Sequence, residues 1–134
     1  MRKRAIIMPE RTLGEWKAAR LAEINACCQA ALAGLTRTYP DRELNTFDKQ
    51  EAEARAWLAD NSAPTPFLSA LAAARGLELA ELARRVVAKA DAFAVASGHL
   101  VGQRQRMEDM LDACETVEDV LALEVVFGLP GGDV

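Results

Sequence analysis

The residues with the widest chemical range are one histidine, His99, and three cysteines, Cys27, Cys28 and Cys114. A metal site needs several nitrogen or sulfur ligands at close spacing. His99 has no second histidine and no C-x-x-C pair to join it. A cysteine–histidine nucleophile pair could join His99 to Cys28 or Cys114. Cys114 follows His99 by about 22 Å along a continuous helix, so pairing them requires a helix break or a second subunit. Cys27 and Cys28 are adjacent, and on a helix their side chains diverge by about 100°, which disfavours an unstrained disulfide. Three reduced thiols suit a cytosolic protein; a redox role for the vicinal pair is the sharper alternative. Glu51 with Glu53, and Glu108, Asp109 and Asp112, are clustered carboxylates that could serve acid–base chemistry. On the polar faces of helices such runs are ordinary solvated charge, and Arg104 with Glu108 has the i, i+4 spacing of an intrahelical ion pair. The sequence contains no G-x-S-x-G, P-loop or G-x-G-x-x-G. The expectation is a non-enzymatic protein with no catalytic residue, no metal ligand and no cofactor.

A formal net charge of −4 argues against a general nucleic-acid binder, which carries a basic face to neutralise phosphates. Local basic groups are nevertheless present: Arg2, Lys3 and Arg4, then Arg84 and Arg85, then Arg104 and Arg106. They define the alternative function, a small nucleic-acid-binding regulator. Arg2-Lys3-Arg4 precedes Ala5-Ile6-Ile7-Met8, but this apolar run stops at Pro9, short of the roughly seven residues of a secretory core. No run approaches the ~20 apolar residues of a membrane span. A cytoplasmic protein with no membrane contact is expected.

At 134 residues the chain predicts one helical domain, 1–134, with an extended N-terminal arm at 1–11 and a flexible tail at 128–134. Hydrophobic residues make up 51% but aromatics only 5%. The excess is mostly alanine, the strongest helix former and a weak contributor to burial. Close-packed helices follow: an all-α, elongated bundle of about five helices.

Their boundaries are marked by caps and breakers. Thr12-Leu13-Gly14-Glu15 has capping-box spacing, and Leu13, Trp16, Leu21, Ile24, Cys28, Leu32 and Leu35 then recur at helical intervals. This predicts a helix over about 13–38, ended by Tyr39-Pro40. A polar connection from Pro40 to Asn45 leads to a second helix capped by Asn45 or Thr46, with Phe47, Ala54, Trp57 and Leu58 on its apolar face and Glu51 and Glu53 facing water. Thr65-Pro66 reads as cap and first position of a third helix that stops at Gly76. Thr116 caps a last helix over about 117–127, stopped by Gly128.

The longest element is an amphipathic helix over about 79–114, with no proline and an apolar residue every three or four positions. Ser97-Gly98 is its weak point. Ala90, Ala94, Gly98 and Gly102 fall every four residues on one ridge, where small side chains let a second backbone approach closely; a simple break at Ser97-Gly98 is the alternative. Arg104 interrupts the apolar stripe between Leu100 and Met107. It either fixes register or partner choice, or snorkels from a helix that has left the core. A helix longer than one small core needs suggests a partner or self-association surface made of Ala90, Ala94, Gly98, Leu100, Gly102, Arg104, Met107 and Leu111, with Trp57 as a further anchor.

Three stretches carry a family likeness: Tyr39-Pro40-Asp41 with Thr46-Phe47-Asp48-Lys49-Gln50-Glu51-Ala52-Glu53-Ala54 and Trp57-Leu58; Leu71-Ala72-Ala73-Ala74-Arg75-Gly76; and Ala90-Asp91-Ala92-Phe93 through Gly98 to Gly102-Gln103-Arg104-Gln105. Over about 12–127 this arrangement resembles small helical proteins of phage and prophage tail modules. Some of these are described as tail-fibre assembly proteins, others as domains of unknown function. The resemblance implies an accessory or chaperone role, or a virion component, working by contact with a phage tail or tail-fibre protein in the bacterial host cytoplasm. Self-association through the long helix makes a homo-oligomer the expected state; the resemblance brings no catalytic residues with it.

Overall fold

The computed structural model describes residues 10–130, so the basic cluster Arg2, Lys3 and Arg4, most of the predicted arm and the end of the predicted tail lie outside the described residues. The architecture is all-α. The helices are α1 (Leu13–Thr36), the single-turn α2 (Asp41–Leu44), α3 (Phe47–Ala59), α4 (Pro66–Arg75), the long α5 (Leu79–Asp112) and α6 (Val117–Ala122). No strand occurs among the described residues.

Local sequence signals account for most helix ends. At α1, the Glu15 N–H donates to Thr12 Oγ1 (3.1 Å) and the Thr12 N–H donates back to Glu15 Oε1 (3.4 Å), the reciprocal pair of a capping box. Gly76 ends α4 at φ 69°, the left-handed region that a side chain disfavours, and the Leu77 N–H closes onto Ala72 O at 2.9 Å. Thr116 Oγ1 accepts from the Asp119 N–H at 3.1 Å and caps α6.

Several expectations need correction. The predicted connection from Pro40 to Asn45 contains α2. Pro40, at φ −59°, is already set for a turn, and its carbonyl accepts from the N–H groups of Glu43 and Leu44. Thr46 does not cap α3 with its side chain, because its hydroxyl donates backwards to Glu43 O at 2.7 Å. The last helix ends at Ala122 rather than near 127. From Leu123 (φ −67°, ψ 124°) the chain leaves the helix and continues without helix or turn to Leu129. Leu123 is buried, Val125 and Phe127 pack partly buried on the same core, and Glu124 and Val126 are exposed. That alternation has the period of an extended chain, not of a helix.

The chain divides into two compact units. One comprises the described residues up to Ala31 and from Leu100 onwards; the other is Leu32–His99. In the first, Ile24 of α1, Met107 and Leu111 of α5, Val120 of α6 and Leu123 form a buried core flanked by Trp16, Leu21 and Phe127. Its terminal segment is pinned: the Gln103 amide donates to Gly128 O (2.9 Å) and accepts from the Gly128 N–H (3.1 Å). Gly128, expected only to stop a helix, is thus held by both backbone groups. Lys17 Nζ donates to Asp112 O at 3.1 Å, a cation placed at the carbonyl end of α5.

In the second unit, Ala54 of α3, Leu68 and Ala72 of α4, and Leu82 and Ala83 of α5 form the core, with Trp57 packed beside it. The small side chains let α3 and α4 sit close together. Their junction is tied by Glu53, which the sequence placed towards water. Its carboxylate accepts from the backbone N–H groups of Phe67 (3.3 Å) and Leu68 (3.0 Å), capping α4 from fourteen and fifteen residues away. The predicted cap, Thr65, instead bonds its hydroxyl to Ser69 Oγ at 2.9 Å.

Candidate functional site

The unit Leu32–His99 carries an open cleft of about 880 Å³, within the ~300–1,000 Å³ range of binding clefts. Its apolar surface comes from Phe67 and Leu71 on α4 and from Leu82, Val86 and Phe93 on α5. Leu82 is buried, whereas Phe93 is 42% exposed. Tyr39 and Phe47 also line it and meet edge to face, with ring centroids 5.1 Å apart and planes at 86°. Three of the chain's four phenylalanines and its single tyrosine therefore face this one cleft. In a protein with so few aromatic residues, their concentration on an open surface is the feature that most resembles a binding site.

The cleft carries charge of both signs. Glu43 comes from α2 and Asp48 and Glu51 from α3; Arg75 comes from α4 and Arg85 and Lys89 from α5. Glu51 accepts from Arg55 Nε at 2.9 Å, and Arg55 also pairs with Asp91. Glu51 and then Asp91 hold Arg55 charged above its ordinary value. Arg85 donates to Glu81 at 2.9 Å. Lys89 places its ammonium over the Tyr39 ring, 4.6 Å from the centroid. Glu43, Asp48 and Arg75 make no ion pair among the described residues.

The interface residues read from the sequence fall into three groups. Leu100, Met107 and Leu111 are buried within the first unit at 2%, 8% and 2% exposure, so they are core residues with no surface to offer a partner. Their apolar spacing on α5 is satisfied inside the chain. Arg104 is held internally too: Nη1 donates to Asn25 Oδ1 on α1 (3.0 Å) and to Glu108 (2.7 Å), which fixes it in place and keeps it charged. Trp57 is half-buried against the second unit's core.

The small-residue ridge stays on the surface. Ala94, Gly98 and Gly102 are exposed, and a Cβ added at either glycine meets nothing within 4 Å, so no helix among the described residues crosses there. Ala90 is half-buried and borders the cleft. α5 runs unbroken through Ser97-Gly98, where Ser97 Oγ donates to Phe93 O at 2.7 Å.

The remaining chemical groups are dispersed. Arg84 and Arg85 share Glu81, whose carboxyl they hold below its usual range, Arg85 more strongly. Cys27 is exposed and Cys28 buried, with its thiol directed at Leu100 O. Among the described residues, no group of three or more His, Cys, Asp or Glu side chains is placed to hold a metal ion. No helix among them is long and apolar enough to cross a membrane.

Neither the cleft nor the Glu53 cap was anticipated. The aromatic residues at positions 39, 47, 67 and 93 were the available signal, but each phenylalanine fits its own helix's apolar face and Tyr39 fits the stop after α1. Comparison with known proteins adds one partial likeness. Residues 88–126, less than a third of the chain, match a family described as the HI1402 helical domain. No curated protein and no solved structure matches the chain.

Proposed function

We propose that this chain is a non-enzymatic protein–protein interaction module with an accessory or chaperone role in phage or prophage tail or tail-fibre assembly. The observation that carries the interaction reading is the aromatic cleft of Leu32–His99. It keeps Phe93 42% exposed and gathers Tyr39, Phe47 and Phe67 on one open surface. Burying such rings against a partner yields about 25 cal/mol for each Å² removed from water, and aromatic anchors in pockets dominate many protein interfaces. The tail-module assignment rests on the likeness of the segments at 39–58, 71–76 and 90–105 to small helical tail-module proteins. The two supports meet in the same residues, since Tyr39, Phe47, Leu71, Arg75, Ala90 and Phe93 belong both to those segments and to the cleft lining.

The test is co-expression of the tagged chain with the proteins of its neighbouring genes, tail or tail-fibre proteins on this reading, followed by purification and light scattering. A stoichiometric complex with one of them is expected, weakened at least tenfold by Phe93→Asp. A chain that forms no complex with any of these proteins contradicts the proposal.

A further inference from the structure

We infer that residues 124–127, in the extended segment after α6, are an open backbone edge that takes up a lone extended segment of another protein as an antiparallel strand. This surface belongs to the first unit, and it depends neither on the cleft nor on the tail-module reading.

The segment is extended and fixed in place. From Leu123 to Gly128 it has neither helix nor turn, and Leu123, Val125 and Phe127 pack on the core. Both its ends are tied. Arg20 of α1 donates to Leu123 O, and Gln103 of α5 holds both backbone groups of Gly128. Between these ties, the N–H and C=O groups of Glu124, Val125, Val126 and Phe127 make no hydrogen bond among the described residues. An extended chain with open backbone groups is a template for strand pairing. Here the core beneath has already ordered it, so only the incoming chain loses conformational freedom.

The ties also select the edge. In an extended chain one residue turns both backbone groups to one edge, and its neighbours turn theirs to the other. Gly128 turns both of its groups to Gln103. Those of Val126 and Glu124, two and four residues earlier, therefore share the edge that faces α5. Glu124 and Val126 border a hollow of about 390 Å³ together with Gln103, Arg106, Met107 and Met110 of α5. Its apolar surface is open, with Val126 62% and Met110 48% exposed.

Three features specify the occupant. A helix bonds its own backbone groups and has none to offer an edge. A second copy, pairing through the same segment, would carry its own α1 and α5 into the space these helices fill, whereas a lone extended segment brings none. The charged groups at the hollow, Arg106 and Glu124, are of opposite sign, and neither makes an ion pair among the described residues. A neutral segment therefore suits the edge better than one of a single sign. Antiparallel pairing lets Glu124 and Val126 each exchange both bonds with one residue of that segment. The residue between those two turns its side chain inward, towards Met107 and Met110, and an apolar one fits there.

The test is fluorescence anisotropy of the full chain with a labelled, end-capped peptide of about six residues, some 20 Å when extended, that alternates threonine and valine. The parent peptide is expected to bind with its valines inward, so that its threonine backbone groups pair with Glu124 and Val126. Methylating the threonine nitrogens should weaken binding at least tenfold, since each lost N–H removes a hydrogen bond. Methylating the valine nitrogens, which face the outer edge, should leave affinity within about twofold of the parent. Val126→Pro removes one pairing N–H at an exposed position. It should abolish binding with the melting temperature unchanged. If that variant fails to fold, the two methylated peptides decide the matter on the wild-type chain.

No binding of the parent peptide, equal effects of the two methylation patterns, or binding by a folded Val126→Pro variant as tight as wild type would each overturn the inference. A dimer in light scattering that Val126→Pro converts to monomer would assign the edge to a second copy and overturn it as well.

Discussion

Replacing Glu53 with alanine tests whether the second unit is tied together as described. The first turn of α4 has few donors to satisfy. Pro66 has no N–H, and the Ser69 N–H enters the helix by donating to Thr65 O at 2.8 Å. That leaves the N–H groups of Phe67 and Leu68, and both donate to Glu53. Thr65 makes no side-chain cap bond to this turn, its hydroxyl being directed to Ser69. Losing a capping acceptor costs about 0.5–2 kcal/mol, and losing a negative charge at a helix N-terminus costs about 0.3–1 kcal/mol more. Because Glu53 is only half-buried, water recovers part of this. The expected net loss is about 1–2 kcal/mol, which lowers the urea midpoint by roughly 0.5–1 M for a chain of this size.

The assay is urea unfolding followed by Trp57 fluorescence in a Trp16→Phe background, since Trp57 packs on the core that Glu53 adjoins. Glu53→Gln, which keeps an acceptor oxygen but not the charge, should lose about half as much. A midpoint unchanged by Glu53→Ala, or a glutamine variant as damaged as the alanine one, would refute the capping account.

Other perturbations have equally definite expectations. Gly98→Ala, at an exposed helix position with open space around the added methyl, should stabilise the chain by about 0.5–1 kcal/mol by thermal denaturation; a loss of stability would mean that another chain crosses there. Gln103→Ala removes both bonds to Gly128. It should cost about 1–2 kcal/mol and speed hydrogen exchange at Gly128, so unchanged exchange would contradict the pinned terminal segment. Asp60 accepts from the Ser62 N–H and then from its hydroxyl, which hold its carboxyl below the ordinary aspartate value. A depressed folded-state value means this contribution is complete above the unfolded value of about 3.9 and is lost as pH falls through the folded one. An NMR titration should place Asp60 below other exposed aspartates and show a partial rise in Ser62→Ala; titration at the ordinary value would contradict the turn geometry.

What the sequence revealed depended on the distance over which each determinant acts. Thr12 with Glu15, Thr116 with Asp119, and Gly76 each act within a turn of chain, and each cap formed where its residues predict it. The length of α5 was equally legible, because an apolar residue every three or four positions without proline specifies a helix whatever it packs against. The segment after Ala122 was misread by its composition: Leu123, Val126 and Phe127 extend a helical stripe on paper. Their burial pattern, with Leu123, Val125 and Phe127 inward and Val126 62% exposed, has the two-residue period instead. The Glu53 cap could not be read, since nothing local distinguishes a carboxylate that reaches another helix from one in water.

The candidate interface was legible only in part. A residue on an apolar stripe can face its own core or a partner, and periodicity does not separate the two. Leu100, Met107 and Leu111 proved to face the core. Residues 39, 47, 67 and 93 lie on four segments, and only folding brings them to one cleft.

The central claim, that this cleft is the contact surface for a tail or tail-fibre protein, is tested most directly by site-specific photo-crosslinking during co-expression. A benzoylphenylalanine at position 93, which lines the cleft, should crosslink to that protein. The same group at position 95, where Val95 is 70% exposed and lies outside the cleft lining, should not. Equal crosslinking from both positions, or crosslinking from position 95 alone, would contradict the account.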